Sequence, residues 1–428
     1  MTRKLIVSKI MSDEEVSTLE GKWIEESHIK LPIINSDTDV YYLDKNNNEI
    51  LLLKFRKKVI SDKLIKIGWD SYKDLAKASR GRGASAGPVS PNSDYWKKRI
   101  LVKTKKWSTG YLNPKGNEMY EKFNEMSMSD LVNSSLEVLK EQNELSKEDN
   151  FMLLLLNKGV PKEDKSHESP ESSESSESSE ILLKNKKELS KEDIVMFLIS
   201  KNGGISKMKV NNQVASNPIG FYEAGKNFAD LPCRLTHFTR TNFEKYNQGL
   251  KFIQRIDKLF KKNIPEAYER QIQRANTKPH LKIPNTAFST VTINRNFRTA
   301  LHRDAGDFKE GFGNLTVIER GKYHGGYTVF PQFGLGINLR NNDFVAMDVH
   351  QWHSNTPMYE TEEDKLYNET IEIDYNDNPD VGTEGLYKKY TRLSFVCYLR
   401  EKIAKCPAQS EINPQFLTKS GHSKIIVD

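Results

Sequence analysis

Two histidines and one aspartate are the side chains in this sequence whose types and spacing best suit metal chemistry. His302 and Asp304 are separated by one residue, and His353 lies further along the chain. If His302 and Asp304 lie on a strand, their side chains point to the same face and can reach one ion. A second imidazole completes a two-histidine, one-carboxylate set, which is typical of non-haem Fe(II) oxygenases. We therefore predict that His302, Asp304 and His353 bind Fe(II) and form the catalytic centre.

The third metal ligand has two candidates, because residues 348–357 contain both His350 and His353. His353 is followed by Ser-Asn-Thr-Pro, a turn signal at the end of an apolar strand. A ligand at a strand end that enters a turn fits this pattern, so we favour His353. His350 stays open as the alternative.

An arginine on the last apolar segment could bind an organic acid. Arg392 and Ser394 are two residues apart, so on a strand they share one face. A guanidinium binds a carboxylate through two hydrogen bonds, and the hydroxyl can add another. Since a buried arginine is costly without an anion, we predict that Arg392 and Ser394 bind 2-oxoglutarate. Arg400 is the weaker candidate for this role.

Short strands separated by Gly and Asn turns would position these residues. Before them, the apolar spacing of residues 242–262 predicts an amphipathic helix. The strands after Pro284 are predicted at residues 288–293, 299–302, 315–319, 327–330, 335–339, 344–348 and 393–399. Such a series is typical of a double-sheet jelly roll. We predict an α+β fold with a double-stranded β-helix (jelly-roll) core, flanking helices and an N-terminal α/β extension.

Composition divides the chain into five predicted regions. They are a basic N-terminal α/β region at 1–130, a region of duplicated short helices at 131–205, helices that support the barrel at 206–284, the jelly-roll dioxygenase core at 285–405 with an acidic insertion at 358–390, and a C-terminal tail at 406–428. The boundaries follow changes in charge and apolar content.

The second region contains a short duplication. Residues 144–149 recur as residues 188–193, and each copy leads into an apolar run. Each copy is predicted to start a short helix that ends near Gly159 or Gly203. The Ser/Glu segment between them, residues 162–180, has no large apolar side chain to bury and is predicted to be a disordered linker.

The charge balance favours an anionic partner. Lys and Arg number 65 and Asp and Glu number 58, which gives a net charge of +7. Basic and aromatic residues alternate in residues 95–99 and 103–107, after a basic Gly-rich loop at 80–88. Such segments can hold a phosphate backbone and stack on bases, although a solvated strand with core tryptophans is the alternative. Nucleic acid is the predicted partner, with DNA favoured over RNA.

The three cysteines, Cys233, Cys397 and Cys406, have neither the number nor the spacing of a disulfide framework or a zinc site. We predict an intracellular protein of the cytoplasm or nucleus, with a viral origin as a further option. No apolar run is long enough to span a bilayer, so no membrane association is expected. The oligomeric state stays open.

Four segments of the sequence resemble the TET/JBP family of nucleic-acid-modifying dioxygenases. They are residues 288–307, 325–332, 348–357 and 392–398. The resemblance implies Fe(II), 2-oxoglutarate and O₂, with ascorbate helping to keep the iron reduced. It also implies hydroxylation of the C5-methyl group of thymine or 5-methylcytosine.

The family motif carries the iron ligands onto His302, Asp304 and His353, and the 2-oxoglutarate arginine onto Arg392. Three further residues fall in the matched segment before the first histidine and are predicted to be secondary co-substrate or pocket residues: Asn294, Arg298 and Thr299.

Two other functions stay open. The same scaffold could hydroxylate a protein or a small molecule, which would need no phosphate contacts. A binding protein with a degenerate barrel is the third reading, and the complete set of ligands argues against it. The acidic insertion at 358–390 would repel a polyanion unless it folds away.

Overall fold

A computed structural model gives the fold of the chain in two compact units. The described residues are 2–79, 82–88, 101–104, 108–112, 114–142, 145, 149–150, 152–153, 156, 191–206, 214–224, 233–372 and 389–411. One unit joins Met1–Pro88 with Asn211–Asp428, and the other is Val89–Val210. The sequence had predicted boundaries near residues 130 and 205 instead.

The described residues contain both helices and strands. The helices are α1 (Asp13–Ser17), α2 (Asp62–Tyr72), α3 (Pro114–Glu125), α4 (Met128–Lys140), α5 (Lys191–Lys201), α6 (His237–Thr241), α7 (Phe243–Asn263), α8 (Pro265–Asn276) and α9 (Glu362–Glu369). The strands are β1 (Arg3–Val7), β2 (Thr38–Leu43), β3 (Glu49–Arg56), β4 (Ala78–Ser79), β5 (Leu101–Thr104), β6 (Ser108–Leu112), β7 (Ile205–Ser206), β8 (Val214–Tyr222), β9 (Arg234–Leu235), β10 (Thr290–Arg295), β11 (Gly313–Arg320), β12 (His324–Gly325), β13 (Thr328–Phe330), β14 (Leu335–Ile337), β15 (Phe344–Met347), β16 (Ser354–Asn355), β17 (Met358–Tyr359) and β18 (Thr391–Tyr398). Short 3₁₀ turns occur at Glu26–His28, Gly83–Ala86, Pro279–Leu281, Pro331–Phe333, Glu401–Lys405 and Gln409–Glu411.

A large sheet forms the centre of the first unit. Its strand order is β1-β2-β3-β15-β11-β18-β10-β8-β4, and β9 pairs with β8. The pairing is antiparallel except between β1 and β2. The N-terminal strands therefore extend the same sheet that holds β10 and β18, and the unit has a mixed α/β fold.

Helices α2, α7 and α8 cover one face of this sheet. Their buried side chains form one apolar cluster with alternate residues of β10 and β18. Phe395 of β18 contacts Phe252 of α7 edge to face, with ring centroids 4.9 Å apart. Gly249 lets α7 approach α2 closely, because a Cβ there would lie 2.3 Å from the Tyr72 ring. The sequence prediction of a helix at residues 242–262 is confirmed.

Smaller strands lie on the other face of the large sheet. They form a three-stranded sheet, β14-β13-β16, and a β12-β17 pair. Phe330 and Leu335 of the three-stranded sheet pack in one apolar cluster with residues of β3, β11 and β15, such as Phe55 and Val345. This packing brings the segment around His353 against the large sheet.

The second unit has its own apolar core. Helices α3, α4 and α5 contribute to one buried cluster, and β5, β6 and β7 form a three-stranded sheet. Residues 194–199 of α5 are all buried. The predicted helix after the second copy of the duplication is confirmed, and Gly203 follows it with a φ of +72°. Most of the first copy and the whole linker at 162–180 lie outside the described residues, as do residues 95–99 and Trp107.

Six of the seven strands predicted after Pro284 are confirmed, within a few residues at their ends. The strand predicted at 299–302 is wrong, since this segment makes only an isolated bridge at His302. The number and spacing of the cysteines had argued against a disulfide framework, yet Cys233 and Cys406 form a disulfide across 173 residues of sequence. Spacing along the chain could not indicate this pairing, which depends on the fold. Among the described residues, no helix has the length and apolar character needed to cross a membrane.

Candidate active site

A cavity of about 400 Å³ lies on the face of the large sheet opposite the helices. Alternate residues of β18 line it, and the residues between them belong to the apolar core. The lining includes seven of the eight residues predicted for the site: His302, Asp304, His353, Arg392, Ser394, Asn294 and Thr299. The eighth, Arg298, does not line it.

Backbone hydrogen bonds hold the three predicted metal ligands together. The His302 amide donates to the His353 carbonyl oxygen at 3.1 Å, and the His353 amide donates back to His302 at 3.0 Å. The Asp304 amide donates to the Val349 carbonyl oxygen at 3.0 Å. An isolated bridge, rather than the predicted strand, therefore positions both imidazoles.

The side chains of the three residues converge. The Asp304 carboxylate oxygens lie 3.7 Å from His302 Nε2 and 3.8 Å from His353 Nε2. One ligand atom from each residue falls within 4.8 Å of the others. Donor atoms at these separations can share one metal ion, since Fe–N and Fe–O bonds are about 2 Å long, like those of zinc.

The hydrogen bonds of the two imidazoles fix their tautomers. His302 Nδ1 lies 2.7 Å from the Ala300 carbonyl oxygen, and His353 Nδ1 lies 2.9 Å from that of Gln351. A carbonyl oxygen only accepts, so both Nδ1 atoms donate and both Nε2 lone pairs face Asp304. Burial, with the nearby His302, lowers the pKa of His353 to about 4, which keeps its imidazole neutral at neutral pH. This arrangement fits a divalent cation such as Fe(II).

His350, the alternative ligand, does not join this group. Its amide donates to the Asp348 carboxylate at 3.0 Å, and its Nε2 lies 3.4 Å from the Phe308 carbonyl oxygen. The ligand cluster found among the described residues includes His353 instead.

Arg392 has the environment expected for an anion-binding residue. Arg392 is only 4% exposed, and its Nε makes no hydrogen bond among the described residues. Ser394, on the same face of β18, accepts a hydrogen bond from Asn294 Nδ2 at 3.2 Å. A buried guanidinium nitrogen without a partner is costly, so a carboxylate in the cavity would stabilise it. These residues fit 2-oxoglutarate.

Arg400 and Arg298, the other two arginines considered for the site, have acidic partners within the protein. Glu223 accepts hydrogen bonds from Nε and Nη2 of Arg400. Arg298 pairs with Glu25 at 2.6 Å and lies over the Trp23 ring. Arg298 therefore fixes the N-terminal segment, and the prediction that it serves the pocket finds no support in its contacts. Thr299 donates to Asn355 Oδ1 at 2.8 Å at the cavity wall.

Two features of the cavity have no counterpart in the sequence predictions. Asp307 is buried in the cavity wall with Oδ2 unbonded, and burial, together with Asp304, raises the pKa of its carboxyl well above the usual range. Residues 82–85, from the N-terminal segment, also line the cavity. The short distance in sequence between Asp307 and the pair His302 and Asp304 could have indicated that Asp307 lies in the cavity. The sequence showed a basic Gly-rich loop at residues 80–88, but no local pattern indicates that this loop lines the cavity.

The acidic insertion folds partly as α9. Asp364 pairs with His324 at 3.0 Å, and Glu369 pairs with Lys389 at 3.6 Å. Of its acidic residues in the described part, none lines the cavity. Residues 373–388 of the insertion lie outside the residues that the structure describes.

The chain is similar to known dioxygenases over this region. Residues 217–401 match the Tet_JBP family, described as the oxygenase domain of the 2OGFeDO superfamily. The bifunctional helicase and thymine dioxygenase JBP2 of Trypanosoma brucei brucei is 33% identical over 197 residues, covering 45% of this chain and 16% of the relative. The thymine dioxygenase JBP1-B of Trypanosoma cruzi is 30% identical over 194 residues, covering 45% of this chain and 20% of the relative.

These relatives are much longer than the matched region, so the similarity concerns one domain. A solved structure of NgTET1 in complex with 5mC DNA aligns with a TM-score of 0.32 at 9% identity, covering 49% of this chain and 69% of that chain. That likeness is too distant to bear on the fold.

Proposed function

We propose, from the premise that residues 217–401 of this chain are an oxygenase domain of the Tet_JBP family, that the protein is an Fe(II)- and 2-oxoglutarate-dependent dioxygenase. Its proposed reaction is hydroxylation of the C5-methyl group of a pyrimidine base, thymine or 5-methylcytosine, in nucleic acid. The superfamily of the domain implies Fe(II), 2-oxoglutarate and O₂. Ascorbate is proposed as the reductant that keeps the iron in its divalent state.

The observation that carries this proposal is that a possible metal site and a possible anion site lie in the same cavity. His302, Asp304 and His353 converge in the cavity that also holds the unpartnered guanidinium nitrogen of Arg392. Fe(II) bound to the first set would supply O₂ activation, with 2-oxoglutarate giving two electrons and leaving as succinate and CO₂. A metal set and an anion site in one cavity are what such a reaction needs.

The residues of this chain have separate tasks in the proposed reaction. The carbonyl oxygens of Ala300 and Gln351 hold both imidazoles with Nε2 toward the metal. Arg392 and Ser394 bind the distal carboxylate of the co-substrate and thereby orient its other end. Two sheets that face each other across the cavity support the finer description of the fold as a double-stranded β-helix (jelly roll).

The relatives named thymine dioxygenases and the basic charge of the chain support a nucleic-acid substrate. A methyl group on a stacked base cannot reach residues inside a cavity, so the base must be single-stranded or flipped out of the duplex. We propose DNA rather than RNA as the substrate, and an intracellular location for the protein.

Mass spectrometry of nucleosides tests the proposal. The full chain is incubated with Fe(II), ascorbate and 2-oxoglutarate, and with separate DNA and RNA oligonucleotides that contain thymine or uracil, with or without 5-methylcytosine. The expected product is a 5-hydroxymethyl pyrimidine that requires 2-oxoglutarate. Succinate formation without any modified nucleoside, on every oligonucleotide, would contradict the nucleic-acid substrate and favour a protein or small-molecule hydroxylase.

A further inference from the structure

A loop outside the matched oxygenase domain forms part of the cavity wall. The matched domain covers residues 217–401, whereas Arg82, Gly83, Ala84 and Ser85 line the same cavity from the N-terminal segment. These residues belong to the basic Gly-rich stretch that stood out in the sequence. The cavity of this chain therefore includes a wall that the domain match does not describe.

The backbone of this loop is anchored next to the metal ligands. The Ser85 carbonyl oxygen accepts a hydrogen bond from the Ala300 amide at 2.9 Å, two residues before the first histidine. Ser85 Oγ donates to the Arg82 carbonyl oxygen at 2.7 Å. Ala86 packs in a buried apolar cluster with Phe297. The loop is thus held at a fixed position relative to His302.

Close packing against a tryptophan adds to this anchoring. Gly87 has a φ of +76°, and a Cβ at this position would lie 2.3 Å from Cζ2 of Trp23. A residue with a side chain would be strained there both by its backbone and by the ring. The loop reaches the cavity because glycine permits this approach.

Among the described residues, Arg82 has no acidic partner for its charge. Its side chain is partly buried at the cavity wall, and within the described residues its guanidinium makes no hydrogen bond or ion pair. By contrast, Glu223 holds Arg400 and Glu25 holds Arg298. An arginine that lines a cavity without such a partner is available to an anionic ligand.

Arg82 and Arg392 both line the cavity, as does Tyr398 of β18. Burial raises the pKa of Tyr398, and the positive charges of Arg400 and Arg82 oppose this rise, so the charge of Arg82 acts on the Tyr398 end of β18. Tyr398 is six residues from Arg392 on the same strand, about 20 Å along it. With 2-oxoglutarate bound at Arg392, Arg82 would remain for an anionic group of the substrate.

Acidic groups also line this cavity and limit what Arg82 can bind. They are Glu20, Asp304 and Asp307. A bound cation would offset Asp304, and Asp307 is buried. Glu20 is exposed, so it is the acidic residue most able to weaken binding of an anion near the loop.

We propose that Arg82 binds a phosphate of the DNA strand next to the nucleotide that occupies the cavity. This inference rests on the proposed function, because only a nucleic-acid substrate brings a phosphate to each side of the reacting base. An arginine matches phosphate geometry through two parallel hydrogen bonds. Arg82 thus holds the strand in register with the metal ligands, and it does so from outside the matched domain.

Measurements of DNA binding at different salt concentrations test this role of Arg82. The full chain, with Mn(II) in place of Fe(II), is titrated against a fluorescent deoxyadenosine strand that contains a single thymidine or 5-methylcytidine. Arg82→Ala should weaken binding several-fold and reduce the slope of log affinity against log salt by about 0.7, the value for one phosphate contact in a single strand. Arg82→Lys should keep most of the slope. Glu20→Gln should strengthen binding slightly.

A methylphosphonate linkage, placed in turn on each side of the pyrimidine, identifies the phosphate. At one position it should weaken binding by the wild-type chain and leave binding by Arg82→Ala unchanged. Arg3→Ala is the matched control, because Arg3 is exposed on β1, at the opposite edge of the sheet from β4. It should bind like the wild type.

The outcomes separate the two proposals. If the wild type shows no salt-dependent binding to either strand, the proposed function fails and the inference fails with it. If the wild type binds but Arg82→Ala behaves like Arg3→Ala, the inference alone is wrong. It is also wrong if every methylphosphonate weakens the wild type and Arg82→Ala equally.

Discussion

The two faces of β18 differ in what their side chains can do. Leu393, Phe395 and Cys397 are fully buried among the helices, and Phe395 packs on an aromatic ring of α7. Arg392 and Ser394 point to the other face, into the cavity. A change on the helix face should cost stability, and a change on the cavity face should cost activity. Alternate residues of β18 therefore face the apolar core and the cavity, because side chains of a strand point to opposite faces with a period of two residues.

Asp304→Ala should have the largest effect on the cavity face. Removal of the carboxylate leaves two imidazoles and weakens metal binding, so turnover of 2-oxoglutarate to succinate should fall at least about 10³-fold, equal to about 4 kcal/mol. Succinate release measures this loss. The far-ultraviolet circular dichroism of the variant should match the wild type, and unchanged turnover would refute the metal assignment.

Phe395→Ala should have the largest effect on the helix face. Loss of a fully buried aromatic ring should lower the free energy of unfolding by about 3–5 kcal/mol, as measured by urea denaturation of the full chain. The KM for 2-oxoglutarate should stay near the wild-type value in the fraction that remains folded. A large rise in this KM without loss of stability would break the distinction between the two faces.

Arg392→Ala tests the cavity face of β18, where Arg392 lies beside Ser394. Loss of a charge-assisted contact to the co-substrate should raise the KM for 2-oxoglutarate about 30- to 150-fold, or about 2–3 kcal/mol. Steady-state kinetics at varied 2-oxoglutarate measures this. Stability should change little or increase, because the buried Nε loses its unmet requirement for a partner. An unchanged KM would move the role to another cation.

Arg298→Ala should have the smallest effect. Arg298 pairs with Glu25, whose side chain is 53% exposed, so the pair should contribute at most about 1 kcal/mol. Thermal unfolding should shift slightly, and the KM for 2-oxoglutarate should change less than two-fold. A rise comparable to that of Arg392→Ala would restore Arg298 to the co-substrate site, where the sequence had predicted it.

The sequence predicted the features that depend on local pattern. The alternation of β18, the apolar spacing of α7 and the residue types of the ligand set are all local, and the structure contains the predicted strand and helix and brings the three ligands together. The turn after His353 favoured it over His350, and His353 is the histidine whose ligand atom lies within 4.8 Å of those of His302 and Asp304.

Features that depend on long-range contacts were missed. The segment before His302 contains strand-forming residues, yet it has only one bridge partner, His353, and so forms no strand. Arg298 was assigned to the pocket by its place in the motif, but Glu25, 273 residues earlier, sets its direction. Likewise, the Cys233–Cys406 disulfide and the contribution of residues 82–85 join distant parts of the chain. Spacing along one sequence carries no information on such pairs.

Metal binding by a matched pair of histidine variants tests the central claim most directly. Isothermal titration of the metal-free full chain with Mn(II) should give one site in the wild type and in His350→Ala. His353→Ala, three residues away, should lose this site or weaken it at least a hundredfold. Equal binding by His353→Ala and the wild type, or loss of the site in His350→Ala alone, would contradict the assignment of His302, Asp304 and His353 as the metal centre.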